Sequence, residues 1–158
     1  MPRLSHDTQE RRRAHILDSA EVCFARTGFH RTTMVDICRE AKISAGALYV
    51  YFDSKEALID GIVARDREEI AGMLTSIGEA PDFFRALEGS LRSCVLERPA
   101  HKVALFIEMA AEAHRNPDVA RSIGGCESVL RAILVGLVER ARAAGQVSAR
   151  VDPDKLVT

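Results

Sequence analysis

Thr32–Leu58 reads TTMVDICREAKISAGALYVYFDSKEAL. Thr33 stands three residues before Asp36, so its hydroxyl can accept from the first turn of a helix while the acid reaches back to the cap. The helix that follows carries Ile37 and Ala41 one turn apart on a single face. It is expected to stop near Lys42, with Ile43 plugging the corner. Ser44 is placed to cap a second helix that turns Leu48, and then Tyr51 or Phe52, inward. Asp53 or Ser54 caps a third, with Glu56 in its first turn. Two short helices joined by a few residues, each buried on its inner side, are the skeleton of a helix-turn-helix. In that motif the second helix enters the DNA major groove while its neighbours hold the backbone.

The outward face of Ala45–Tyr51 suits that task. Gly46 lets the main chain approach a duplex closely, and Ala45 and Ala47 are small. Tyr49 offers a hydroxyl at the helix edge. Lys55 lies in the first turn of the next helix, where a cation and free amides can meet phosphate. The DNA-contact candidates are Thr33, Ser44, Ala45, Gly46, Ala47, Tyr49, Tyr51 and Lys55. Spacing alone does not decide the matter, because capped apolar helices around a turn also occur in proteins that never touch DNA.

The run Ser44-x-Gly46-x-Leu48-Tyr49-x-Tyr51-Phe52-x-Ser54-Lys55-Glu56-x-Leu58, read with the two threonines before it, closely resembles the DNA-binding domain of TetR-family transcriptional regulators. The resemblance is strong over roughly Arg11 to Ile62 and architectural beyond. It departs from the family pattern at several places. Cys38 replaces a usual small Ala, and Lys42 stands where the turn Gly is frequent, so a non-Gly residue is expected in a left-handed conformation. Ala45 and Ala47 replace polar or basic base-reading side chains, and Val50 replaces a frequent His. Hydrogen-bond readout of bases is therefore expected to be thin, leaving more to methyl contacts, backbone amides and DNA shape.

The chain has 158 residues, of which 47% are hydrophobic and 28% charged, a globular balance. No apolar run approaches the roughly 20 residues of a membrane span. MPRLSHDTQERRR has no apolar core behind its basic residues, unlike a secretory signal, which points to the cytoplasm. Cys23, Cys38, Cys94 and Cys126 lack paired spacing for zinc and read as reduced core thiols. The net charge is −1. Residues 1–55 hold nine Lys and Arg against seven Asp and Glu, so any DNA affinity must come from local placement of cations.

Residues 1–7 read as an arm, and Arg3 with Arg11-Arg12-Arg13 forms a cluster expected to meet phosphate. A first helix over about 8–27 carries Ile16, Leu17, Ala20, Cys23 and Phe24 as one stripe, closed by Gly28 with Phe29 folding back. From Ser54 a long helix is expected to reach about Ile77. Its charged middle, Arg65–Glu69, lies between two apolar ends and suits a lever between two cores. A helix capped by Asp82 follows, then one over about 101–114. Asn116 begins a short helix, Gly124-Gly125 breaks the chain, and a last long helix spans about 126–144 before Gly145. Asp152-Pro153-Asp154-Lys155-Leu156 reads as the start of another.

The sequence thus predicts an all-α fold, with a helix-turn-helix DNA-binding domain over 1–53 and a helical effector-binding and dimerisation domain over 54–158. The helix at 126–144 is apolar around most of its circumference and needs cover on two sides. The resemblance implies a homodimer through this helix and a ninth one. On that resemblance a ninth helix is missing from the sequence, so either the second domain is truncated or its dimer interface is incomplete. It also implies a ligand-responsive regulator, most often a repressor, that leaves operator DNA when a small molecule binds. Pocket candidates are Phe84, Leu87, Leu91, Phe106, Met109, Ala113 and Leu130, with Glu112, His114 and Arg131 as polar contacts; this lining favours an apolar or amphipathic effector. No cofactor, metal or membrane partner is expected, and no nucleophile–base spacing or phosphate loop suggests an enzyme. The competing reading is a helical protein-interaction module whose helix-turn-helix does not read DNA.

Overall fold

A computed structural model describes residues 6–156, apart from the side chains of residues 94–95, 125–130, 154 and 156. Among the described residues there are eight helices and no strand. They are α1 (His6–Thr27), α2 (Met34–Ala41), α3 (Ala45–Tyr49), α4 (Lys55–Glu79), α5 (Phe83–Leu96), α6 (Ala100–Ala113), α7 (Pro117–Ala143) and α8 (Pro153–Leu156). The all-α reading holds.

Local chemistry sets most of the boundaries. The α1 stripe of Ile16, Leu17, Ala20, Cys23 and Phe24 is buried. Gly28 closes the helix at φ +79°, a conformation a Cβ would oppose. Phe29 folds back so that its ring centroid lies 5.5 Å from that of Phe24. At α2 the capping box forms as expected: Asp36 N donates to Thr33 Oγ1 at 3.1 Å, and Thr33 N donates to Asp36 Oδ2 at 3.0 Å. Lys42 ends the helix at φ 54°, ψ 43°, the left-handed position. For a residue with a Cβ that conformation costs about 1 kcal/mol. Hydrogen bonds from Lys42 N to Arg39 O (3.3 Å) and from Ile43 N to Cys38 O (3.0 Å) hold it there. Ser44 caps α3, accepting from Ala47 N at 3.2 Å. Of the two aromatic candidates, Phe52 takes the buried position and Tyr51 is half-buried. Ser54 caps α4, accepting from Ala57 N at 3.0 Å.

The helices form two compact units. The first takes the chain up to Val63 together with Pro99–Ile123. Its interior joins the α1 stripe to Ile37, Leu48, Phe52, Leu58 and Ile62, with Leu105 and Met109 of α6 also buried. Glu21 of α1 is buried as well, 3.9 Å from Lys102 Nζ and 4.0 Å from His101 Nε2 of α6. The second unit takes Ala64–Arg98 together with the chain from Gly124 onward. Its core is Leu74, Ile77, Phe83, Leu137 and Ala141, lined by Ile70, Met73, Leu87, Ile133 and Leu134. Packing therefore divides the chain differently from a cut between residues 53 and 54, because α6 lies along α1 and joins the unit that contains the helix-turn-helix.

One expectation fails outright. Gly124-Gly125 does not break the chain, since α7 runs through both residues. Glycine within a helix costs about 1 kcal/mol relative to alanine, which is a penalty and not a stop. Asn116 starts the helix, its Oδ1 accepting from Asp118 N at 3.0 Å, and propagation through the pair follows once the nucleus exists. No described helix is long and apolar enough to cross a membrane.

Candidate nucleic-acid interface

The first unit presents α3 outward. Ala45, Gly46, Tyr49 and Val50 are exposed, at i, i+1, i+4 and i+5, and so form one stripe on the helix. Leu48, on the opposite side, is fully buried and anchors the helix. A Cβ added at Gly46 would meet nothing within 4 Å, so the closest approach to this face is set by the backbone itself. Ser44 is exposed and Ala47 half-buried at the edge of the stripe.

The supports of α3 come from three directions. His15 of α1 reaches the end of α2 with Nε2 2.9 Å from Ala41 O. Thr32 is buried before the α2 cap, its hydroxyl 2.7 Å from Gly28 O, 3.2 Å from Cys23 O and 2.7 Å from Thr27 Oγ1. Thr33 accepts one bond and donates another, to Asp36 Oδ2 at 2.6 Å. The Thr33 hydroxyl and amide hold the Asp36 carboxyl below the usual carboxylate range, and Arg39 beside it acts in the same direction. Burial pushes the Cys23 thiol up, against the pull of Arg26, so Cys23 is the protonated core thiol expected of it. Cys38 is buried too, while the side chains of Cys94 and Cys126 lie outside the described residues.

Lys55, expected in the first turn of α4 where phosphate can be met, has partners within the chain. Its ammonium donates to Phe29 O at 2.6 Å and to His30 O at 3.4 Å, and stands 4.4 Å from the centre of the Phe29 ring. It is directed at the turn between α1 and α2, and so ties the start of α4 to that turn. The arginine cluster is likewise partly committed. Arg11 pairs with Asp7 at 3.0 Å, and the Arg13 guanidinium stacks 5.2 Å from the centre of Phe52. Arg12 lines a cleft of about 460 Å³ between α1 and α3, together with Arg11, His15, Ser44 and Tyr51. Arg3 lies outside the described residues.

Sequence reasoning missed His15 and Thr32 as supports, and also the contact between His30 and Glu112. The buried Glu112 of α6 places Oε2 2.8 Å from His30 Nε2, with Arg115 at 3.6 Å. Nothing in the local pattern pairs residues so far apart.

The residues expected to line an effector pocket fall in both units. Phe84, Leu87 and Leu91 belong to the second unit, and Phe106, Met109 and Ala113 to the first. Leu87 is half-buried, but Phe84 and Leu91 are exposed at 59% and 55%. The inward face of α5 instead carries Phe83 and Ala86. On α6 Met109 is buried and Ala113 half-buried, whereas Phe106 is exposed at 58%. Reading Phe84, Leu91 and Phe106 as inward residues is therefore corrected. Helical periodicity fixes which residues share a face, and through-space neighbours choose which face is covered. Phe84, Leu87, Glu88, Leu91, Arg92 and Leu96 line an open groove along α5. Leu130 has its side chain outside the described residues. Glu112 turns to His30, and His114 is exposed as the residue that caps the end of α6.

This geometry has close counterparts among known proteins. Residues 16–62 match the family described as bacterial regulatory proteins, tetR family. The chain is 32% identical over 136 residues to the HTH-type transcriptional regulator UidR of Escherichia coli (strain K12), an alignment spanning 86% of this chain and 69% of UidR. It is 27% identical over 157 residues to the HTH-type transcriptional repressor Rv1474c of Mycobacterium tuberculosis, spanning 99% of this chain and 80% of that protein. The structure of Salmonella enterica GusR superposes with a TM-score of 0.80 at 35% identity, over 93% of this chain and 76% of GusR.

Proposed function

This chain belongs to the TetR family of bacterial regulatory proteins and is a transcriptional regulator; from that premise we propose that it represses transcription as an operator-bound homodimer released by a small molecule. The observation that carries the proposal is the exposed, small-surfaced α3, held by capped neighbours and bordered by the cleft that Arg11, Arg12 and His15 line. Ser44, Ala45, Gly46, Ala47 and Tyr49 face the major groove. Tyr51, beside Arg12, meets the sugar–phosphate chain. Thr33 and Lys55 act one step back, by fixing the ends of α2 and α4. The name of Rv1474c, a repressor, supports repression over activation. Such a protein works where the chromosome lies, in the cytoplasm.

Dimerisation through the apolar α7 would set two recognition helices about one DNA turn apart, roughly 34 Å. The apolar groove of Phe84, Leu87 and Leu91 on α5 favours an apolar or amphipathic effector. Such a molecule acts by preferring one state of the regulator. Moving the protein from almost wholly bound to almost wholly free takes about 5.5 kcal/mol of differential affinity.

The test is binding to promoter and random duplexes as a function of salt. Operator binding predicts that log K falls with log salt by about 0.9 for each phosphate neutralised. Arg12→Ala is expected to flatten that slope by about one unit. Binding that ignores salt, or no binding to any duplex, would reject the regulator mechanism in favour of a protein-interaction module.

A further inference from the structure

We infer that α3 reads its operator through thymine methyl groups, with Val50 and Ala45 as the specificity-determining contacts; this rests on the DNA-binding reading above. The outward stripe holds a methyl group at Ala45, a bare Cα at Gly46, a phenol at Tyr49 and an isopropyl group at Val50. None of the four has the paired donors or the donor–acceptor edge that reads guanine or adenine with two hydrogen bonds. Val50 is nonetheless 78% exposed and Tyr49 54% exposed. A branched aliphatic group held in water on a rigid helix end gains by meeting an apolar partner.

The major groove offers one apolar group, the C5 methyl of thymine. Ala45 and Val50 lie at opposite ends of the α3 stripe, so they address methyls on different base pairs. Gly46 between them lets the backbone approach closely enough for contact, since nothing stands within 4 Å of its would-be Cβ. Arg11 and Arg12, in the α1–α3 cleft beside Ser44, Ala47 and Tyr51 at the edge of the stripe, favour a polyanion over an apolar protein surface as the occupant. Val50 follows the last residue of α3 as its C-cap with φ −68° and ψ −27°, so its side chain is carried on regular helical backbone.

The experiment selects binding sites for the full chain from a random duplex pool, then remakes the enriched duplex with uracil in place of each thymine. Uracil keeps every hydrogen-bonding group and loses only the methyl. Each contacted thymine is expected to lose about fourfold in affinity on conversion, the worth of one buried methyl-sized group. Val50→Ala should erase that penalty at one position of each half-site and leave the others unchanged. Ala45→Gly should erase it at a different position. Equal affinity for the thymine and uracil duplexes overturns the inference while leaving operator binding intact. So does an enriched site without thymine under the recognition helix, or salt-dependent binding that enriches no sequence. Failure to bind any duplex instead removes the regulator mechanism itself, so the two failures are distinguishable.

Discussion

The Thr33–Asp36 pair shows how one side chain sets a functional helix. Both reciprocal bonds of the capping box form, and they satisfy amides that the first turn of α2 would otherwise leave open. Thr33→Ala should cost about 1 kcal/mol of stability, read as a lower midpoint in thermal or urea unfolding. The pH dependence follows from the depressed Asp36 carboxyl. A group whose folded pKa lies below its unfolded value stabilises above the ordinary carboxylate range and loses that contribution as pH falls through the folded value. The difference between wild type and Thr33→Ala is therefore expected to be full at pH 7 and to shrink in melts taken below about pH 3.8, the ordinary aspartate value. Lys55 gives the second test at this scale. Because its ammonium bonds to Phe29 O and His30 O, Lys55→Met should lower stability by about 1–2 kcal/mol, as loss of a charged hydrogen bond does. The slope of DNA binding against salt should stay unchanged. A slope flatter by one unit with unaltered stability would return Lys55 to the phosphate.

Helix contacts at the next scale turn on how closely backbones approach. A Cβ at Gly61 of α4 would lie 2.9 Å from Leu17 Cδ2 and 2.9 Å from Phe52 Cε1. Both neighbours are buried and have little room to retreat. Gly61→Ala gains helix propensity but overpacks this junction, and a net loss of about 1–2 kcal/mol is expected in denaturant unfolding. A gain in stability would show that α1 and α4 can move apart cheaply. The helix-turn-helix was legible because its signals are local. Thr33, Lys42, Ser44 and Ser54 each act on backbone groups within a few residues. Gly28 and Gly145 likewise adopt the positive φ their positions call for, +79° and +73°. The faces of α5 and α6 were not legible, because both helices are apolar over broad arcs and periodicity alone does not select the covered side.

For the whole molecule, the expected homodimer places its burden on α7. Ile133, Leu134, Leu137 and Ala141 pack into the core of the second unit, while Val135 is half-buried on the same helix outside that core. Val135→Glu is expected to convert a dimer to a monomer in sedimentation, to leave helical content unchanged, and to weaken operator binding by losing the second half-site. A variant that stays dimeric would locate the interface elsewhere. The inclusion of α6 in the unit that carries α3 has a consequence at this scale too. Glu112 meets His30 at 2.8 Å, next to the carbonyls that Lys55 holds, so α6 and α4 both converge on the turn that leads into α2.

The sequence by itself determined the helical class, the caps, the left-handed closures and the outward stripe of α3, because each depends on covalent neighbours and on a periodicity written into the chain. Tertiary structure alone decided that Lys55 serves the turn 26 residues before it, that Glu112 meets His30, and that α6 joins α1. Those outcomes depend on burial and on partners distant in sequence, and local pattern carries no record of which distant group will arrive.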